Sequence, residues 1–289
     1  MLMPLAIIGA GPAGIAAAIQ LKRSRCDFLL LEKSSIGGLL HEANCVENFP
    51  GIANGIAGRT LAARFQRQLA AAGIAVEKAQ VQHLACRGGA FVLQTEKQTF
   101  TAARVILACG TMPLPIEPPL DQPWLRKRIF DSILPLLKCS RQTIVIIGGG
   151  DAAFDYALNL ARKNRVHIVI RSNKARALPL LIERCRSHPQ IVIHENSPLT
   201  SARKGAEADG VILEARGKKI SCQRILTAIG RAPAMHFLAS DLRASLDDFV
   251  KQKKIWIAGD ASNGRFRQAA IAAADGLRAA MEIVGGQSK

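Results

Sequence analysis

Residues 5–14 read Leu5-Ala6-Ile7-Ile8-Gly9-Ala10-Gly11-Pro12-Ala13-Gly14. An Ala-rich run over 15–21 follows, and a second apolar run over 28–31 ends in Glu32. Strand, glycine turn, helix, strand and acid in that order predict the opening of a dinucleotide-binding βαβ unit. Glycines permit the tight turn and a close backbone approach to a pyrophosphate. The helix N-terminus offers that anion unpaired N–H groups and a partial positive charge. Glu32, 23 residues after Gly9, stands where a carboxylate can accept from a ribose hydroxyl.

The pattern returns 139 residues later. An apolar, β-branched run over 143–147 leads into Gly148-Gly149-Gly150-Asp151-Ala152-Ala153. A helical stretch over 154–162 and a second strand over 166–170 follow, with Arg171 where the acid would stand. Lys174 and Arg176 come soon after. A missing carboxylate with added cations favours a 2′-phosphate, hence NADPH over NADH, while NADH stays possible because the same cations also fit an ordinary solvated basic loop.

Two such openings in 289 residues predict an α/β chain of two doubly wound domains. The Pro-rich stretch 112–119 marks the exit from the first domain, and Gly230-Arg231-Ala232-Pro233 the return. A strand over 254–258 and an Ala-rich helix over 267–284 would complete the first domain. The expected layout is therefore 1–112 plus 241–289 for the first domain, with 113–240 inserted as the second.

These motifs, in this order and over nearly the whole chain, resemble the thioredoxin-reductase-like branch of the two-dinucleotide-domain flavoprotein oxidoreductases. The further matches are Gly37-Gly38-Leu39, Val46-Glu47-Asn48-Phe49-Pro50-Gly51, Val105-Ile106-Leu107-Ala108-Cys109-Gly110, Thr227-Ala228-Ile229-Gly230, Trp256-Ile257-Ala258-Gly259-Asp260 and Arg267-Gln268-Ala269-Ala270. The resemblance implies two Rossmann-like domains of three-layer ββα type, the second inserted into the first, and an enzyme that uses FAD and NADPH or NADH. It places FAD against Gly9, Gly11, Pro12, Ala13, Gly14, Glu32, Lys33, Gly38, Leu39, Asn48, Val81, Gly110, Gly259, Asp260, Gln268 and Ala269. It places the nicotinamide nucleotide against Gly148, Gly150, Asp151, Ala152, Ala153, Arg171, Arg176, Ile229 and Gly230. A hinge is expected at 110–113 and 230–233, as is a homodimer.

One departure separates the chain from thioredoxin reductases. Their Cys-x-x-Cys should fall near Asp131-Ser132-Ile133-Leu134, where there is no cysteine. Cys139 stands alone beside a strand, where a structural thiol is expected. The glutathione-reductase pattern fails too, since Leu40 takes the place of its first cysteine. Without a dithiol the flavin has no intramolecular disulfide to reduce. The expectation is electron transfer from nicotinamide through flavin to an external acceptor, as in ferredoxin reductases of this type. A ferredoxin, a flavodoxin, or an iron–sulfur or radical enzyme such as a lipoyl synthase would fit. Cys45 and His41 are the catalytic candidates. Cys45 suggests the alternative of a single-cysteine reductase of peroxide or small disulfides. A redox-sensing FAD protein with little turnover is a further alternative.

Composition narrows the partners. Lys plus Arg number 39 against 22 Asp plus Glu, a formal charge of +17. By segment the excess is +5 over 1–112, +10 over 113–240 and +2 over 241–289. Dinucleotide phosphates need only a few cations, so the rest can steer an acidic acceptor protein. Aromatic residues make up 4% and no recognition motif is present, which argues against nucleic acid. The first 21 residues carry no charged side chain, but glycines and Pro12 interrupt them, so neither a signal peptide nor a membrane span is expected. Seven scattered cysteines without zinc spacing, and histidines without ligand spacing, predict no metal site and a reducing, cytoplasmic setting.

Overall fold

The computed structural model describes residues 2–206 and 210–286. Its contacts divide the chain into two units: 1–41, 46–112 and 232–289 in the first, 42–45 and 113–231 in the second.

In the first unit the short apolar runs become a five-stranded parallel sheet. Its order is Ile255–Ile257, Val105–Leu107, Ala6–Ile8, Leu29–Glu32 and Glu77–Lys78. The three central strands are apolar, apart from the terminal Glu32, because both of their faces are covered. Helices Pro12–Arg23 and Ala269–Gly285 pack on one face, with Leu21, Leu30, Ile106 and Ile283 in the core between. A four-stranded sheet, Leu2–Met3, Thr99–Ala102, Ala90–Thr95 and Val81–Arg87, covers the other. Leu31, Leu84, Phe91 and Leu107 fill that second core.

The helices approach closely for a reason that the motifs do not announce. A Cβ on Gly276 would lie 1.9 Å from the Ala13 carbonyl oxygen, so only glycine lets these two helices touch backbone to backbone.

The second unit repeats the plan. Its parallel sheet runs Ile129–Phe130, Arg224–Thr227, Thr143–Ile147, Arg165–Val169 and Ile191–His194. Helices Asp151–Leu160 and Pro179–Arg186 cover one face through Ile144, Ile146, Val166 and Ile168. An antiparallel meander, Leu199–Lys204, Val211–Ala215 and Lys218–Cys222, covers the other through Val145, Val169, Val211 and Ile220. Each unit is thus three layers, ββα, of Rossmann type.

The expected boundaries need two corrections. Residues 232–240 group with the first unit, not the second. The Leu84 N–H donates to the Phe237 carbonyl, and the Ala239 N–H to that of Leu84. Residues 42–45 group with the second unit, because Asn44 N–H donates to Asp155 Oδ2 at 2.7 Å and Glu42 accepts from two side chains there. The Pro-rich exit forms no helix or central strand. Its start, Thr111–Pro113, pairs only with the return strand Arg231–Pro233. Among the described residues no helix is long and apolar enough to cross a membrane.

Candidate dinucleotide sites

The first glycine loop is held by three steric facts. Gly9 sits at φ +106°, and a Cβ there would lie 2.3 Å from the Ala108 carbonyl oxygen. A Cβ on Gly14 would lie 1.8 Å from the Gly9 carbonyl oxygen, so the helix can start this close to the strand only with glycine. Gly11 has nothing within 4 Å of where its Cβ would stand. The loop is therefore packed on its inner side and open on its outer side, the shape a pyrophosphate requires. The helix N-cap is Gly11, with no side chain capping the first turn, and Pro12 opens the helix without an N–H to spare.

Glu32 is buried and holds the loop from below. One carboxylate oxygen accepts the Ala10 N–H at 2.7 Å, and the other accepts the Ser34 N–H at 2.8 Å. The oxygen that meets Ser34 also accepts from its Oγ at 3.3 Å, so the one that meets Ala10 keeps a lone pair for a ribose hydroxyl. Lys33, next along, is exposed.

Of the other expected FAD positions, Gly38 and Gly259 lie against this loop and its helix. The Gly37 N–H donates to the Ala10 carbonyl at 2.7 Å, and a Cβ on Gly38 would be 3.5 Å from the Gly11 Cα. Leu39 follows in the short helix Gly38–His41. Gly259, at φ +75°, would place a Cβ 2.9 Å from the Ala13 Cβ. Asp260 continues from it in the turn Gly259–Ala261. Asn48 and Gln268, 220 residues apart, meet side chain to side chain at 2.9 Å, with Gln268 at the N-cap of the helix that begins at Ala269. Val81 is buried at the head of its strand, and Gly110 lies at φ +65° in the exit segment.

The second loop repeats the first in detail. A Cβ on Gly148, at φ +149°, would lie 2.3 Å from the Ala228 carbonyl oxygen, and Gly150 is open. Ala108 and Ala228 are thus matching partners of the two loops, a contact that the motifs holding them do not announce because alanine carries no signal of what it touches. Ala153 is buried in the core and Ala152 is exposed. Asp151 Oδ1 accepts the Leu178 N–H at 2.8 Å, and the Arg176 N–H donates to the Gly149 carbonyl at 2.6 Å. The segment after the second strand is thereby folded back onto the loop, with the Arg171, Lys174 and Arg176 side chains exposed beside it. Ile229 and Gly230 are also exposed.

The catalytic candidates fare differently. His41 Nε2 donates to the Ile36 carbonyl at 2.9 Å, which fixes that nitrogen as the protonated one. Cys45 is half-buried and groups with the second unit, His41 with the first. None of the seven cysteines is disulfide-bonded. Burial pushes the Cys109 thiol up to about 11 and those of Cys185 and Cys222 up to about 12, which keeps them protonated and unreactive near neutrality. Glu42 does not face solvent. It accepts from Ser132 Oγ at 2.8 Å and from Tyr156 Oη at 2.7 Å, and burial together with that carboxylate raises the phenol's pKa. Tyr156 is the chain's single tyrosine, and its place was not readable from any motif.

Comparison with known proteins settles the family. Residues 3–276 match the pyridine nucleotide-disulphide oxidoreductases. The chain belongs to this family. It is 29% identical over 289 residues to the thioredoxin reductase of Treponema pallidum, covering 95% of this chain and 94% of that one. It is 28% identical over 301 residues to the NADPH-dependent thioredoxin reductase 3 of Arabidopsis thaliana, covering 95% of this chain but only 56% of that longer protein. The crystal structure of the Lactococcus lactis thioredoxin reductase superposes with a TM-score of 0.85 at 27% identity, covering 97% of each chain. The protein is an NAD(P)H-dependent flavoprotein oxidoreductase of thioredoxin-reductase-like type, a group that uses FAD and NADPH. The residues at both loops fit these cofactors: each combines an open glycine, an uncapped helix start and a packed inner wall.

Proposed function

We propose that the protein passes electrons from NADPH through FAD to an external acceptor protein, and not through a dithiol of its own to thioredoxin. One observation carries this reading. The positions where the family's Cys-x-x-Cys would fall, 131–134, hold no sulfur: Asp131 and Leu134 are exposed, and the two residues between them serve the fold. Ser132 is bonded to Glu42, and Ile133 is fully buried.

When bound, FAD supplies the ring that accepts hydride and gives up electrons, and the chain supplies positioning and electrostatics. The Gly9–Gly14 loop and its helix would hold the FAD pyrophosphate and Glu32 the ribose. Asp260, Asn48 and Gln268 would line the rest of the flavin site. The Gly148–Gly150 loop would hold the nicotinamide dinucleotide, with Arg171 and Arg176 meeting a 2′-phosphate.

The +10 excess over 113–240 supports an acidic acceptor, such as a ferredoxin, a flavodoxin or an iron–sulfur enzyme. Anaerobic stopped-flow mixing of the FAD-loaded protein with NADPH tests the proposal. Flavin absorbance should bleach, and return on mixing with ferredoxin or flavodoxin at a rate that falls with salt. A flavin left oxidised by both NADPH and NADH, or rapid reduction of thioredoxin, would overturn it.

A further inference from the structure

On the sheet face opposite the nucleotide-loop helix, the second unit has a cavity of about 500 Å³. Its walls are Thr143, Arg165, His167, His194, Lys218, Lys219, Ile220 and Ser221. Alternation along the strands explains the placement. Ile144, Ile146, Val166 and Ile168 point to the helices, so Thr143, Arg165 and His167 point to the meander. Thr143 and Arg165 also open their strands, whereas the glycine loop follows Ile147, at the other end. This cavity thus lies on the other face of the sheet from the dinucleotide-loop helix, with Thr143 and Arg165 at the end away from the loop and His194 level with Ile147.

Thr143, Arg165, His167, His194 and Lys218 face it, Lys219 and Ser221 border it from the alternate side of their strand, and no acidic residue is among its walls. The neighbouring acids are engaged elsewhere. Glu195 stands 3.6 Å from Arg186, and Glu214, across from Lys219 in the ladder, accepts from Ser201 Oγ at 3.2 Å. The two rings stack at 5.2 Å between centroids, with His167 Nδ1 2.9 Å from His194 Nε2. One ring must donate and the other accept, so both cannot be fully protonated. Among the described residues no group of three or more His, Cys, Asp and Glu could hold a metal, which leaves an anion as the complementary ligand.

We propose that this cavity binds a small polyvalent oxyanion, using Arg165, Lys218 and Lys219 as charge partners and the histidine pair as a proton-sensitive floor. Such a ligand supplies the negative charge that the walls lack, and Arg165 can meet it bidentately. It also favours a protonated pair. Burial holds both rings below their usual pKa, His194 and Arg165 adding to the effect on His167 and Lys218 to that on His194. An anion between these cations reverses the Coulombic part, so binding takes up protons below neutrality. The site does not depend on the proposed electron acceptor.

Calorimetric titration of the FAD-loaded protein with pyrophosphate, at low salt and with NADP⁺ saturating, is the test. The expected result is one site whose affinity falls about tenfold or more in the Lys218→Ala/Lys219→Ala variant, as loss of charge-assisted bonds requires. Heats in buffers of different ionisation enthalpy should show proton uptake near pH 5 that His167→Asn diminishes. Citrate in a parallel arm separates the sources: tighter pyrophosphate means a phosphorylated ligand, tighter citrate a polycarboxylate. Binding abolished by NADP⁺ would place the anion at the nucleotide loop and overturn the proposal. So would an unchanged affinity in the double variant, or no binding of either probe. The double variant should keep its NADPH-driven flavin bleaching, which shows that it is folded.

Discussion

The buried carboxylate of Glu32 accepts the backbone N–H of Ala10 at 2.7 Å. This ties the end of the second strand to the middle of the first glycine loop. The residue that would bind ribose is therefore also the brace of the loop that would bind pyrophosphate. Glu32→Ala should leave the Ala10 and Ser34 N–H groups without this acceptor and cost about 1–3 kcal/mol. Thermal unfolding should shift downward, and FAD should be lost on gel filtration. Glu32→Gln, which keeps an acceptor oxygen, should lose less.

The second loop can be disabled without touching the first. In Gly148→Ala the new Cβ would meet the Ala228 carbonyl in a backbone region that L residues avoid. The variant should retain its flavin spectrum yet lose NADPH-driven bleaching by about a hundredfold or more, a barrier change of about 3 kcal/mol. Stopped-flow absorbance reads both properties in one sample.

Arg171 and Arg176 are exposed beside that loop. Replacing both with Ala should raise KM for NADPH about tenfold or more while leaving KM for NADH within about twofold, because only the former carries the 2′-phosphate that these cations would meet. Equal losses with both nucleotides would mean that the arginines shape the loop.

Asn48 and Gln268 join the loop after Gly38 to the head of the last helix through one exposed hydrogen bond. Asn48→Ala should cost about 0.5–1.5 kcal/mol at that contact. Its effect should appear in the FAD dissociation constant, with little change in unfolding temperature of the apoprotein.

The histidine pair makes stability depend on pH. His167 is held down at about 4 and His194 is lowered too, with Arg165 and Lys218 as the charges that face them. Between about 4 and the ordinary value of 6.5 the unfolded chain binds a proton at His167 that the folded one does not. Stability from this group is full above 6.5 and is lost as pH falls toward 4. Urea midpoints measured across that window should decline in the native protein, and the decline should flatten in His167→Asn.

Much of the fold was legible because its determinants are local. Short apolar runs, punctuated by glycine and proline, marked the strand Thr143–Ile147 to the residue and the other strands of the two parallel sheets that they announced to within a few, but not Ile191–His194 or the overlying antiparallel strands. The spacing from Gly9 to Glu32 announced a nucleotide loop, and the sequence shows no two cysteines in Cys-x-x-Cys spacing, on which the proposed external acceptor rests. What the sequence could not show is which distant atoms those glycines must avoid. Only the folded chain puts the Ala108 and Ala228 carbonyls against Gly9 and Gly148, or Ala13 against Gly276. Likewise, strand pairing and the overlying meander, not spacing along the chain, bring Arg165, His167, His194 and Lys218 to one cavity. Loop chemistry follows from residues close in sequence, whereas cavities form between layers whose register is decided by packing.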